Sequence, residues 1–559
     1  MTAPRPRRAA VLAALVILLA VAVVAAATLV WLSRTGHLGG EKGGVNGPTA
    51  CPANASTLPP TPVARLVPFD LTAGVAPREH VQVIGVWSGV AVFDLYDLRE
   101  ANVWPLGAGE GRDILRGVDV ATGAVLWTLD ALPDGSGFLV GVTRRRESSL
   151  AGDPTSDNPP GLPPRQVAAF CGNLALSLVT SDGTTVVVLA LRTGGFVGNH
   201  FVPNGDARNE YGQPVPLQQS VSAYSGGVLV VDTWSLDLWG GQPHPGTTTA
   251  YRDTDLSSPL WRSEVSDDRG GWYLGPPVLL DRWVHTVSDD YVDLHSGARS
   301  GLRPGGDADA YAAGLASVGP VILAIDGLGP WGGYQASERI ATWSGANPPA
   351  RSWTYDPVAD DPTLELYPPW TPAKLGLDIA PEATRNALLV SVETGEFDEQ
   401  ANAYKSYLRA VAAADGRVLW SVPLTGSYWL AGTSLYTLRD QQLFLISDYD
   451  GTFTLLRAEA GAEYGTLTDA PVSRAEWAGP CGATAICLVA VTGPGKPAAT
   501  VAAIDYATPT LTPLALAGQP TVEGIGLVDG FQPAYGTPGG LVVIGTDAHG
   551  GYQFLTVGA

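Results

Sequence analysis

The stretch LRGVDVATGAVLWTL at residues 115–129 returns as LRAVAAADGRVLWSV at residues 408–422, identical at eight of fifteen positions, including Gly123 with Gly416 and Trp127 with Trp420. Recurrence within one chain marks a repeat architecture, in which each small unit buries its apolar side only against its neighbours. A second pair, FCGNLALSLV (170–179) and PCGATAICLV (480–489), agrees at five of ten positions and aligns Cys171 with Cys481. Eroded copies of the first unit begin at residues 189, 250, 292, 340, 455 and 502, which makes eight copies in all. From Gly123 to Pro509 the eight turns span 386 residues, an average of about 55 per interval. Four-stranded propeller blades repeat every ~40–50 residues, and long loops account for the excess. The expected fold is all-β, a β-propeller of eight four-stranded blades, with seven left open. The strands after residue 524, GLVVIGT and YQFLTV, are expected to help close the ring.

Within the unit each residue type has a structural task. Val118 and Val120 alternate toward a neighbouring sheet, Thr122-Gly123 turns the chain with glycine at positive φ, and Leu126-Trp127 opens the next strand. Trp127 then fills the wedge between blades, where an indole buries some 150–250 Å². From residue 79 onward short apolar runs such as TTVVVLAL and GGVLVVDT alternate with turns, and no helix-length amphipathic pattern stands out. The 68 Gly, 45 Pro and only 16% charged residues suit many short strands.

GVDVATGAVLW and AVAAADGRVLW resemble the PQQ-like repeat of quinoprotein dehydrogenases and of the eight-bladed outer-membrane assembly lipoproteins. The resemblance covers most of residues 79–520 and implies a β-propeller, in a family that holds both enzymes and non-enzymes. In the dehydrogenases it implies a disulfide between adjacent cysteines against the quinone, a Ca²⁺ held by Glu, Asn and Asp, and a catalytic Asp. This chain has no Cys-Cys dipeptide. No cofactor, metal or catalytic residue is therefore assigned.

Arg5, Arg7 and Arg8 precede Ala9–Leu32, 24 residues without a charge. As a helix this segment reaches roughly 36 Å at ~1.5 Å per residue, enough to span a bilayer with some tilt. The arginines place residues 1–8 in the cytoplasm, residues 9–32 in the membrane and the remainder outside. A cleaved signal peptide ending near Ala25-Ala26-Ala27 is the alternative. Residues 33–78 read as a Gly- and Pro-rich stalk and residues 79–559 as the propeller. Beyond residue 34 there remain 29 basic and 54 acidic residues, a net charge of −25, which repels nucleic acid and anionic lipid headgroups. Only four lysines, against abundant Ala, Gly, Pro and Arg, match the codon usage of a GC-rich, actinobacterial-like bacterium. All four cysteines follow the membrane segment, in a compartment where disulfides persist. Of three possible connectivities, Cys481 with Cys487 clips a hairpin and leaves Cys51 with Cys171, fastening the stalk to the folded body.

Other constellations favour structural readings. Asp289, Asp290 and Asp293, Asp360 and Asp361, and Asp448 and Asp450 do not follow a calcium-loop pattern and read as turn aspartates. The seven histidines are scattered, and no nucleophile elbow or phosphate-binding loop occurs. Long connections between second and third strands are expected at DLREANVWPLGAGEGRD, SLDLWGGQPHPG, GLGPWGGYQAS and ETGEFDEQANAYKS. The first three place Trp104, Trp239 and Trp331 on one rim. They are binding candidates, since tryptophan is enriched at recognition hot spots and loops on a rigid scaffold carry function. The alternative is that each folds back over its own loop. The functional expectation is a non-catalytic, membrane-tethered scaffold that binds an envelope protein or extracellular ligand, without nucleic acid. The alternative is an exported quinone-dependent oxidoreductase, with the cofactor in the propeller channel.

Overall fold

The computed structural model describes residues 62–78, 80–97, 113–140, 167–180, 182–203, 217–235, 246–264, 278–279, 282–286, 291–300, 414–424 and 551–558, and otherwise, beyond Ser300, the strands named below. They form nine sheets and no helix. Sheet 1 runs His80–Trp87, Val90–Tyr96, Ile114–Asp119, Val125–Leu129; in sheet 2, Leu139–Val140 and Val167–Phe170 share the first position, followed by Asn173–Val179, Gly183–Ala190 and Phe196–Pro203. Sheet 3 is Leu217–Ser225, Val228–Ser235, Thr247–Arg252, Asp255–Glu264, and sheet 4 is Val278–Leu279, Trp283–His285, Tyr291–Asp293. Sheet 5 is Tyr311–Val318, Val321–Leu328, Arg339–Ser344, Arg351–Tyr355, and sheet 6 is Lys374–Gly376, Ala387–Asp398, Ala403–Ala412, Val418–Leu424. Sheet 7 is Ser434–Leu438, Leu443–Ser447, Phe453–Arg457, Glu463–Leu467, and sheet 8 is Trp477–Gly482, Ala485–Ala490, Thr500–Asp505, Thr510–Leu514. Each is an antiparallel meander in chain order, the architecture of a β-propeller. Every one of the eight sequence copies falls on the connection that follows the third strand of one of these sheets.

The ninth sheet joins the chain ends. Its order is Ala534–Thr537, Gly540–Thr546, Tyr552–Val557, Ala64–Pro68, Leu516–Ala517. Ala64–Pro68, read from the sequence as stalk, is a strand antiparallel to Tyr552–Val557. The strands after residue 524 do join this closing sheet. Phe69 fastens it to sheet 1, its ring 4.1 Å from Phe554 and 5.3 Å from Phe93, in one apolar cluster with Val118, Val120, Val542 and Ile544. The buried Arg116 guanidinium, on the third strand of sheet 1, donates to the carbonyls of Leu71 at 2.7 Å and Ala73 at 2.5 Å.

The repeated turn explains itself at atomic level. In Asp119–Ala124 the Gly123 N–H donates to the Asp119 carbonyl at 2.8 Å, while Asp119 Oδ1 accepts from the backbone N–H of Ala121 and Thr122. Asp293 does the same for His295 and Ser296. The turn glycines adopt φ of +72° (Gly123), +66° (Gly194), +69° (Gly297) and +76° (Gly416), a region that side chains avoid. Each glycine also faces an aromatic residue of the preceding sheet. A Cβ on Gly194 would lie 2.7 Å from Cγ of Trp127, one on Gly297 2.7 Å from Cγ of Trp261, and one on Gly416 2.6 Å from Cε3 of Trp353. Trp127 Nε1–H donates to the Leu191 carbonyl at 2.6 Å and Trp261 Nε1–H to that of Leu294 at 2.8 Å. The residue paired with the indole across its own sheet is small, Gly117 for Trp127, Ala250 for Trp261 and Ala410 for Trp420, and a Cβ on Gly117 would lie 2.2 Å from Cε2 of Trp127. The expected wedge is therefore real, and it docks on the next glycine turn. At Gly123 the docked residues are Pro68 and Phe69.

Trp127→Ala is expected to cost about 3–5 kcal/mol. Gly194→Ala, which removes no atom, should destabilise by about 1–3 kcal/mol through overpacking against that indole. Leu126→Ala, beside Trp127 on the exposed side, should stay within about 0.5 kcal/mol. Denaturant unfolding followed by circular dichroism reads all three.

Candidate functional site

Each meander has two unlike ends. Turns from first to second strand and from third to fourth share one end, where packing dictates the chemistry. Ser88-Gly89, Cys171-Gly172 and Gly226-Gly227 are two-residue turns with both residues at positive φ, as tight hairpins with right-handed twist require. Their second carbonyl accepts from the neighbouring outer turn: Gly89 from Val120 N–H at 2.9 Å, Gly172 from Leu191 at 2.7 Å, Gly227 from Asp253 at 3.0 Å. In sheets 1 to 3 the backbone of this end is thus tied within the sheet, and indoles wedge it at the turns of Gly194, Gly297 and Gly416.

The opposite end carries the second-to-third connections, and polar side chains are buried beneath it. Asp94, Ser177 and Asp232 each stand five residues after the second residue of the inner turn, near the end of a second strand. Asp94 and Ser177 are buried, as are Asp113, Thr184, Thr185 and Thr248 at or beside the start of third strands. Ser177 Oγ donates to the Gln219 carbonyl on the first strand of sheet 3. Asp232 accepts from Ser222 Oγ and, at 2.6 Å, from Thr248 Oγ1. Gln219 is only 4% exposed, yet among the described residues neither atom of its amide has a hydrogen-bond partner. The sequence signal was present as GVAVFD, GNLALS and GVLVVD (89–94, 172–177, 227–232), a polar residue closing an otherwise apolar run.

Trp104, Trp239 and Trp331 lie outside the described residues. The strands that flank them are described, and each tryptophan stands in the connection from second to third strand of sheets 1, 3 and 5. ETGEFDEQANAYKS differs from the expected loop. It is largely a long hairpin, with Ala387–Asp398 paired to Ala403–Ala412 as far as Asp398 with Ala403. Cys51 lies outside the described residues, Cys171 occupies an exposed inner turn, and Cys481 and Cys487 stand on paired strands of sheet 8. No described cysteine is a free thiol. Of the acidic clusters only Asp293 is described, and it is a turn aspartate, bonded through Oδ2 to Arg282 Nε at 2.8 Å. Burial pushes its pKa up, but Arg282, Ser296 and His295 outweigh that and hold it below the ordinary value. The expected membrane segment 9–32 and most of the stalk also lie outside the described residues. The vicinal-disulfide platform of quinone enzymes does not fit this chain, because no two cysteines are adjacent and Cys171 sits in a hairpin turn between two strands.

Sheet 2 departs from the wedge pattern. Gly198 stands four residues beyond Gly194, where sheet 1 has Trp127, and Leu256 of sheet 3 lies 3.4 Å from its missing Cβ. Next to this gap His200 Nδ1 is 3.1 Å from the Leu256 carbonyl, and Tyr251 Oη is 3.1 Å from His200 Nε2. Burial lowers the His200 pKa, only partly opposed by the Leu256 carbonyl, and raises that of Tyr251.

No protein-family model matches the chain, and no curated protein matches it in sequence. Among solved structures it is similar to the Dos1 propeller, at 8% identity over 88% of this chain and 95% of that one, with a TM-score of 0.36. It is also similar to BamB from Moraxella catarrhalis, at 12% identity over 78% and 99%, with a TM-score of 0.30. A europium-containing methanol dehydrogenase shares 9% identity over 74% and 73%, with a TM-score of 0.30.

A histidine with a folded pKa below its ordinary 6.5 is neutral in the fold and takes up its proton more readily when unfolded. Stability is then lost as pH falls below the unfolded value. The thermal midpoint is expected to drop between about pH 7.5 and about pH 5.5, and His200→Gln should flatten that dependence in a melting series.

Proposed function

We propose that this protein is a membrane-tethered, extracytoplasmic β-propeller of the PQQ-like repeat type, and a non-catalytic scaffold that binds a protein or ligand of the cell envelope. The single observation that supports the reading is the division of labour between the two ends of the described sheets. One end is tied up in turn-to-turn hydrogen bonds and indole wedges, whereas the other carries the long connections above buried polar side chains. Loops free of packing duty on a rigid scaffold are where recognition resides, and Trp104, Trp239 and Trp331 are its contact residues. Eight repeat-bearing blades make the ring, and the sheet of chain ends closes it. Residues 1–8 are cytoplasmic and 9–32 span the membrane. Cys51 pairs with Cys171 to fix the stalk, and Cys481 pairs with Cys487.

The test is crosslinking in membranes followed by recovery of the full-length chain. Trp104→Ala, Trp239→Ala and Trp331→Ala combined should abolish partner recovery and leave thermal unfolding nearly unchanged. A large loss of stability would assign those side chains to packing. Cofactor absorbance and dye reduction after incubation with Ca²⁺ and quinone would instead make the protein an oxidoreductase.

A further inference from the structure

Two glutamines are buried among the described residues, Gln219 and Gln553. In Gln553 only Nε2 is buried without a hydrogen-bond partner, whereas in Gln219 both Nε2 and Oε1 are. Gln219 stands on Leu217–Ser225, the first strand of sheet 3, which packs across sheet 2. Its side chain faces that sheet, because side chains alternate along a strand and Val221, two residues on, lies in one apolar cluster with Ala175, Val186 and Val188 of sheet 2. By the same alternation Ser177, two residues after Ala175, and Thr184, two before Val186, stand on the facing side of sheet 2, and both are buried. Ser177 Oγ is engaged by the Gln219 backbone carbonyl. Beside this polar cap the first position of sheet 2 is interrupted. Val140 pairs with Leu178 and Val167 with Leu176, so no first-strand residue is paired with Ser177.

A buried donor and acceptor left unmet cost stability, and such a pair in a core calls for a group that answers it. A carboxylate would accept from Nε2 but be repelled by Oε1, and a cation would do the reverse. The net charge of −21 opposes anions further. An N–H and a C=O side by side answer both ends of the carboxamide at once. We infer that Gln219 is the recognition point of a subsite between sheets 2 and 3 for a neutral amide, either a primary carboxamide or one residue of an extended peptide, whose N–H and C=O point to the same side. The inference rests on the second-to-third end being the binding end, and it names what one point of that end selects.

Saturation-transfer NMR on the full-length chain in detergent, with acetamide and N-acetylglycine N-methylamide as probes, is expected to show saturable binding. Binding of the peptide probe assigns the subsite to a peptide chain, and binding of acetamide alone to a small primary amide. N-methylacetamide, whose N–H and C=O point in opposite directions, should bind about fivefold more weakly. Gln219→Met should weaken either probe by at least about tenfold and shift the thermal midpoint upward, because it removes an unmet polar group. Gln219→Asn sets the amide back by one methylene, should also weaken the probes, and serves as the readout if the methionine variant does not fold. Gln553→Met should leave binding unchanged. Partner recovery plays no part in this readout, so the subsite and the rim tryptophans fail separately. If neither probe saturates, the amide is met by water alone and the inference is overturned. Binding that survives both Gln219 variants, binding lost equally in Gln553→Met, or a midpoint lowered by Gln219→Met overturns it as well.

Discussion

The contact on which the rest depends is an indole laid on a glycine turn. Trp127 reaches from the outer strand of one sheet to the turn of the next, where Gly194 has no side chain and the Leu191 carbonyl accepts its N–H. The contact satisfies two constraints at once. The turn needs glycine for its positive φ, and the same missing Cβ gives the indole its seat. A substitution at either partner therefore damages a joint between sheets and not only a local hairpin. Trp261 with Gly297 and Trp353 with Gly416 repeat the arrangement, so the chain solves one packing problem several times over.

Among the described residues that solution acts at one end of the sheets, where third strands turn into fourth. Where glycine turns and indoles meet, length and composition are fixed by contact. Where second strands hand over to third strands, connections vary from the three residues 180–182 to the long segment between Tyr96 and Ile114. The buried polar side chains lie toward this second end, with Asp232 bound by Ser222 and Thr248, and Ser177 bound to the Gln219 backbone. Polar groups in a core are tolerated when hydrogen-bonded and contribute specificity more than stability. They are placed where the apolar wedge no longer sets the spacing.

The repeat was legible because its determinants are local. Asp119, Gly123 and Trp127 fall within nine residues, so turn, glycine and wedge are read as one motif, and each eroded copy marks one third strand. The closing sheet was not legible for the converse reason. Its fourth strand, Ala64–Pro68, lies far in sequence from Tyr552–Val557, the strand it pairs with. No hairpin connects them, and composition assigned Ala64–Pro68 to a stalk. Phe69 stands where other joints use tryptophan, so the aromatic signal was present without its motif. The His200–Tyr251 joint was hidden in a similar way. Gly198 replaces the indole, and the Tyr251 and Leu256 that meet its strand come from the next sheet. The rim tryptophans illustrate a different limit, since strand order fixes where their connections begin and end but not what the side chains meet.

Charge narrows what such a rim accepts. The second-to-third connections include Asp289 and Asp290 in sheet 4 and Asp448 and Asp450 in sheet 7, and the opposite end is acidic as well, with Asp119, Asp253 and Asp293 where third strands end. An anionic ligand approaching the rim does so against the field of a strongly acidic body, and salt would speed its arrival. A neutral or cationic ligand meets no such barrier.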